Sequence, residues 1–365
     1  MLTLPFRFLA AAACCAAALL SPSCSRETKL AYSCELSGVH SDTGVAGRNA
    51  ALLAVEMLRE RGERISIEAR DDGGDPARAA EVDTALAGQG RRLVIGHTRS
   101  FVTAGSMAAA GAETYLLLSP YSNGAAVVGR DDFLFCLLPP ARAQAEALAD
   151  RARELGYGRA AVAYDETNLA YSEGFAKDFA ARFEAKGGRV AASVMFQRGN
   201  DGHMGDKVAL VAASRPETVL IVGSVVDTAI FSQLLRSSGF AGQFFGSDAA
   251  MEPGLARNGG AAVQGMIFAH IFDPRKPRPA AKAFAARFSE RFNQEPSLAA
   301  YLGAEAVFIL AEVAAKDDSP AAVKSGLLAG GFEGLIGPLR FDASGDAVRH
   351  YELFELRGEA FEALP

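Results

Sequence analysis

Two apolar runs of β character break off abruptly in small polar residues: VIGHTRS, Val94 to Ser100, and LLLSPYSNG, Leu116 to Gly124. A segment apolar on consecutive residues must be covered on both faces, as a strand inside a parallel sheet is. In open sheets of that kind, ligands collect at the carboxyl ends of the strands. Phe101 to Gly111, between the two runs, is alanine-rich and long enough for a crossover helix. Placed side by side, the two ends aim hydroxyls, an amide and free helix N-terminal N–H groups at one point, which suits a carboxylate or other anion.

The same strand–helix alternation fills the rest of the chain. Leu30–Ser33, Ile65–Ala69, Leu93–Ile95 and Tyr115–Leu118 read as strands, with helices over Gly47–Arg61 and from Pro76 onward. Phe133–Leu138 and Pro139-Pro140 mark a passage into a second unit, where alternation resumes from Ala143 to Ile271. Helices follow at Ala280–Phe292 and Leu298–Ala315, then strands at Pro338–Phe341 and His350–Leu356. The expected fold is α/β, with two doubly wound parallel-sheet units.

At 365 residues, half of them hydrophobic, the chain can bury two cores. Its formal charge of −6 argues against an electrostatic nucleic-acid binder. Residues 1–23 read as an export signal: Arg7, an apolar stretch from Phe8 to Leu20, then Ser21-Pro22-Ser23. The apolar part is short for a membrane span. Cys24 after small residues resembles a bacterial lipobox, with Leu20 one position early and an unusual Pro22. Acylated there, the protein would be anchored to a membrane and exposed to the periplasm or cell surface. Cys34 and Cys136 then remain as an even pair in an oxidising compartment, open to a disulfide or to burial as two small hydrophobes.

Catalytic signatures are missing. There is no G-x-S-x-G, H-E-x-x-H, P-loop or C-x-x-C, and the five histidines are scattered without ligand spacing. DDGGD at Asp71–Asp75 lacks the EF-hand register and reads as a solvated turn. Neither a metal, a cofactor nor an enzymatic activity is expected.

Several landmarks in order carry a resemblance: LSG at Leu36–Gly38, Asp75-Pro76, VIGH with Ser100, LSP at Leu118–Pro120, Asp165 with Tyr171 and Gly174, FFGSD ending at Asp248, and IGPLRFD…GD from Ile336 to Asp346. From about Lys29 to Glu359 the chain resembles the type 1 periplasmic solute-binding proteins, in the branch that binds leucine, isoleucine and valine for ABC importers. The resemblance implies two lobes joined by three crossovers, with the ligand between them. One lobe would comprise residues 29–137 plus 272–336, the other 138–271 plus 337–365. It also implies a small-molecule ligand, an inner-membrane ABC permease as partner, and no enzyme activity.

By the same resemblance Ser100, Ser122 and Asn123 serve an amino acid's carboxylate and amino groups, Asp248 pairs with its ammonium, and Tyr171 closes over it. The chain departs from the family in its side-chain pocket, where Thr43 and Ser224 or Val225 replace aromatics. Arg99 and Tyr121 stand where neutral or small residues are usual, which suggests a more polar or acidic ligand unless Arg99 turns to solvent. A sensory or interaction lipoprotein that keeps the fold and acts on a membrane or cell-wall partner is the other reading.

Overall fold

The computed structural model describes residues 26–38, 41–109, 114–197, 201–252, 254–273 and 275–365. Cys24 and the leader therefore lie outside the described residues. The first half runs β1 (Thr28–Cys34), α1 (Ser41–Glu60), β2 (Ile65–Asp71), α2 (Pro76–Gly88), β3 (Leu93–Gly96), α3 (Ser100–Ala109), β4 (Leu116–Ser119) and β5 (Leu134–Cys136). These strands form one parallel sheet in the order β2-β1-β3-β4-β5.

Alternate residues of each strand feed opposite faces, as the pleat requires. Leu30, Tyr32, Ile95, Leu116 and Leu118 join one buried cluster, while Ala31, Val94 and Leu117 join another. That double burial is why these strands read as unbroken apolar runs.

The chain crosses over at Leu137–Pro140 and builds α4 (Ala141–Glu154), β6 (Arg159–Asp165), α5 (Leu169–Ala185), β7 (Arg189–Phe196), α6 (Asp201–Ala213), β8 (Thr218–Val222), α7 (Val225–Ser237), β9 (Gln243–Gly246), α8 (Gly254–Gly259) and β10 (Ile267–His270). It then returns to the first core with α9 (Pro279–Phe292), α10 (Leu298–Ala314), α11 (Pro320–Ala329) and a small antiparallel sheet of β11 (Gly331–Glu333), β12 (Pro338–Phe341) and β13 (Ala347–Val348). Finally β14 (Glu352–Arg357) and β15 (Ala360–Ala363) add to the second sheet, whose order is β15-β14-β10-β9-β8-β6-β7. Both sheets reverse their winding, between β1 and β3 and between β6 and β8, which are the switch points where a crevice opens.

One expectation is corrected and one open choice is decided. Leu339, Phe341 and Ala347 pack in the core of the first sheet, and Cys136 N–H donates to Gly345 O at 3.0 Å. Residues 337–348 therefore belong with the first sheet, because the alternating apolar side of β12 faces that core. The chain rejoins the second sheet only at β14, later than the 336/337 boundary implies.

Cys34 and Cys136 are both buried and both free. They sit on β1 and β5, which are separated by β3 and β4, so three strand spacings put them about 14 Å apart, well beyond the reach of a disulfide.

Candidate functional site

A cavity of about 740 Å³ lies between the two sheets at their carboxyl ends. Its lining comes from the ends of β3 (Thr98, Arg99, Ser100), β6 (Asp165), β8 (Gly223, Ser224) and β9 (Asp248), as the two switch points require. The walls approach closely beside it. A Cβ on Gly124 would come within 2.3 Å of the Ala170 carbonyl oxygen, so only glycine allows the loop after β4 to meet the start of α5.

On the first wall the side chains are held by their own neighbours. Ser100, 2% exposed at the start of α3, accepts from Gly124 N–H at 3.2 Å. Asn123 lines the cavity while its Nδ2 donates to Pro139 O at 3.0 Å, in the first crossover. Tyr121 also lines it, but its hydroxyl lies 3.2 Å from Tyr32 Oη and donates to Ala299 O at 3.1 Å. Ser122 is not part of the lining. Its Oγ is 2.8 Å from Thr103 Oγ1, so the side chain braces α3 and could offer a ligand only its backbone.

Arg99 borders the cavity with its guanidinium already engaged. Nη2 lies 3.0 Å from Glu35 Oε2 and donates to Gly74 O at 3.1 Å. Arg99 is thus not turned to solvent, and its Nε stays buried at the cavity edge with no hydrogen-bond partner among the described residues.

Behind this wall lies a buried ionic triad. His97 Nδ1 is 2.7 Å from Asp72 Oδ2 and Nε2 is 3.0 Å from Asp83 Oδ2, all three side chains being fully buried. Only imidazolium donates to both carboxylates at once. Burial opposes the charge, but Asp83 and Asp72 outweigh it and hold His97 up to about 10. The DDGGD segment is thus only partly a solvated turn, since Asp72 points inward to His97.

The second wall is acidic and less settled. Tyr171 Oη donates to Asp248 Oδ1 at 3.0 Å, and Ala249 N–H donates to the same oxygen at 3.0 Å. Burial pushes Asp248 above the usual carboxylate range, against the opposing pull of His270 and the Tyr171 hydrogen bond. Ser224 caps α7, accepting from Asp227 N–H at 3.3 Å and donating to Asp227 Oδ2 at 2.6 Å.

Glu252, which the residue reading missed, also lines the cavity. Burial pushes it up to about 7; Leu298 N–H, at the start of α10, works the other way, and the charges of Asp42 and Asp248 add to the rise. A lone carboxylate in the otherwise apolar, turn-forming AAMEPGLA was its visible signal.

Two doubly wound sheets enclosing a polar cleft, with an unneutralised carboxylate on one wall and helix-start donors on the other, define a solute receptor of the two-lobed type. A model of the periplasmic binding protein family matches residues 27–360, so the chain belongs to that family, whose members bind solutes rather than catalyse reactions. It is 24% identical over 306 residues to Leu/Ile/Val-binding protein homolog 2 of Brucella abortus (strain 2308), a match covering 81% of this chain and 80% of that one. In structure it is similar to the leucine binding protein LivK of Thermotoga maritima MSB8, with a TM-score of 0.81 and 24% identity over 93% of this chain and 98% of that one. It is likewise similar to LivJ of Streptococcus pneumoniae in complex with isoleucine, with a TM-score of 0.80 and 22% identity over 93% and 99% of the two chains.

Proposed function

We propose that this protein is the solute-binding component of an ABC importer, tethered to the membrane through lipidated Cys24, and that it closes on an amino acid between its two sheets. The observation that carries the reading is the convergence of Ser100 and the start of α3 with Asp248 and Tyr171 on one cavity. A zwitterion leaving water needs both of its charges met, because an isolated buried charge costs several kcal/mol.

The α-carboxylate would lie against Ser100 and the first-turn N–H groups of α3, which have no partner inside the helix. The α-ammonium would neutralise Asp248, which lines the cavity and whose charged form burial disfavours. Tyr171, already bonded to Asp248, would close over the ligand. Contacts made to both walls at once bias the hinge toward closure. Release to an inner-membrane permease completes the cycle.

The test is a dye-based thermal-shift screen of residues 25–365 against the amino acids, the chain having no Trp. One or a few amino acids should raise the melting temperature by several degrees. Asp248→Ala should abolish that shift, costing about 3–5 kcal/mol of binding, mostly by stranding the ligand's charge. Full affinity in Asp248→Ala would sink the reading.

A further inference from the structure

We propose that the ligand is a basic amino acid, its distal cation held by Glu252 with help from Asp42, while Asp248 takes the α-ammonium. The inference rests on the amino-acid reading above and names the side chain that the cleft selects.

The cavity lining holds five carboxylates, Asp42, Asp165, Asp248, Glu252 and Glu295, against two guanidiniums, Arg99 and Arg257. These charges are not equally available. Arg99 is neutralised by Glu35, so it adds no free positive charge. Asp165 spends both oxygens on Thr167, accepting from its N–H and its hydroxyl at 2.8 Å each. Asp42, Glu295 and Arg257 are exposed at the rim, where Asp42 acts on the interior only through its charge.

Among the described residues two half-buried carboxylates, Asp248 and Glu252, therefore remain without an ion pair; His270 faces Asp248, but burial holds its imidazole below the ordinary value and so against carrying the balancing charge. An α-amino acid brings one ammonium, which accounts for Asp248 alone. A second carboxylate facing the same space, repelled by both Asp248 and Asp42, is the complement of a second positive charge.

An apolar branched side chain would have the opposite consequence. It would take water away from Glu252 without supplying a partner, the costly case for a buried polar group. Loss of the family's aromatic walls at Thr43, Ser224 and Val225 agrees with this, since all three line the cavity and none offers an aromatic surface to a branched alkyl group. The polar or acidic ligand that Arg99 suggested is narrowed accordingly: polar stands, acidic does not.

The experiment is isothermal titration of the protein, residues 25–365, with L-arginine, L-lysine, L-glutamine and L-leucine at pH 6 and pH 8. L-Arginine or L-lysine should bind at least tenfold more tightly than L-leucine at pH 8. That advantage should shrink at pH 6, where Glu252 is protonated before the ligand arrives. Glu252→Gln should weaken the basic ligand on the order of a hundredfold, since one partner of a desolvated charge pair is lost.

L-Leucine affinity should change no more than a few-fold in that variant. The unliganded variant should melt no lower than wild type at pH 8, which separates lost recognition from lost folding. L-Leucine or L-glutamine matching the basic ligands in wild type, or Glu252→Gln binding them undiminished, overturns the inference and leaves the amino-acid reading intact. Failure of every amino acid to bind takes down that reading as well.

Discussion

The two walls of the cleft are built on opposite principles. The first-sheet wall is largely satisfied before any ligand arrives: Ser100, Asn123, Tyr121 and Arg99 each have a protein partner, with Arg99 Nε the exception among their polar atoms, and the His97 triad locks the strand end that carries two of them. The second-sheet wall is not. Asp248 and Glu252 both sit above the normal carboxylate range because partial burial has thinned their water without giving either an ion pair among the described residues. A preorganised wall can orient a ligand at little reorganisation cost, whereas an unsatisfied one supplies the driving force for closure. Substitutions on the first should therefore register in stability as well as in binding, and those on the second chiefly in binding.

The largest stability effect is expected at His97. His97→Leu leaves Asp72 and Asp83 buried without their shared cation and should cost about 3–5 kcal/mol. Its pH dependence has a definite sign. The folded-state value of about 10 lies above the ordinary 6.5, so the contribution is complete below pH 6.5 and is lost as pH rises through 10. Wild type should therefore lose melting temperature between pH 7 and pH 10, and His97→Leu should show a flatter profile over that range. Equal slopes would mean that the triad is not an ionic lock.

How much of this was readable beforehand follows the same division. The strand ends and the alternation depend on local pattern; the candidates Ser100, Asn123, Tyr171 and Asp248 came from the resemblance, whose motifs are themselves local, and all four line the cavity. What escaped depends on register between distant segments. Cys34 pairs with Asp71 and Ser33 with Gly96 across the sheet, and this alignment brings Glu35 to Arg99 and Asp72 to His97. No spacing along the chain announces those partners. Ser122 escaped for a related reason: its position is at the loop, but its hydroxyl goes to Thr103 on a helix that starts elsewhere in the sequence. Residues 337–348 were assigned by the resemblance, and only the core shows which sheet their apolar side prefers.

A smaller pair of substitutions sharpens the contrast between the walls. Tyr171→Phe removes the donor to Asp248 Oδ1 on the unsatisfied wall, and Ser100→Ala removes the acceptor for Gly124 N–H on the satisfied one. Each hydrogen bond is worth about 0.5–1.5 kcal/mol, but only Ser100→Ala should register in unliganded stability as well as in binding. Tyr171→Phe should weaken amino-acid binding several-fold in titration calorimetry with little change in unliganded melting temperature. Ser100→Ala should lower that melting temperature measurably, because Gly124 N–H is left buried beside Ala170. The reverse pattern would break the division of labour.

The smallest effect is expected from the cysteines, where the two possible states differ sharply in outcome. A disulfide closing the 34–136 loop would contribute about 4–5 kcal/mol on chain-entropy grounds, and a reductant would then lower the melting temperature by many degrees. With two strands between them no such bond can form, and burial pushes both thiols well above their usual range, keeping them protonated and unreactive. Excess dithiothreitol should therefore leave the melting curve unchanged. A thiol reagent should find two sites after unfolding and none while Cys34 and Cys136 are enclosed in the two clusters that cover the first sheet. A reductant-sensitive transition in protein lacking Cys24 would contradict the strand order itself, and with it the placement of every residue on the first-sheet wall.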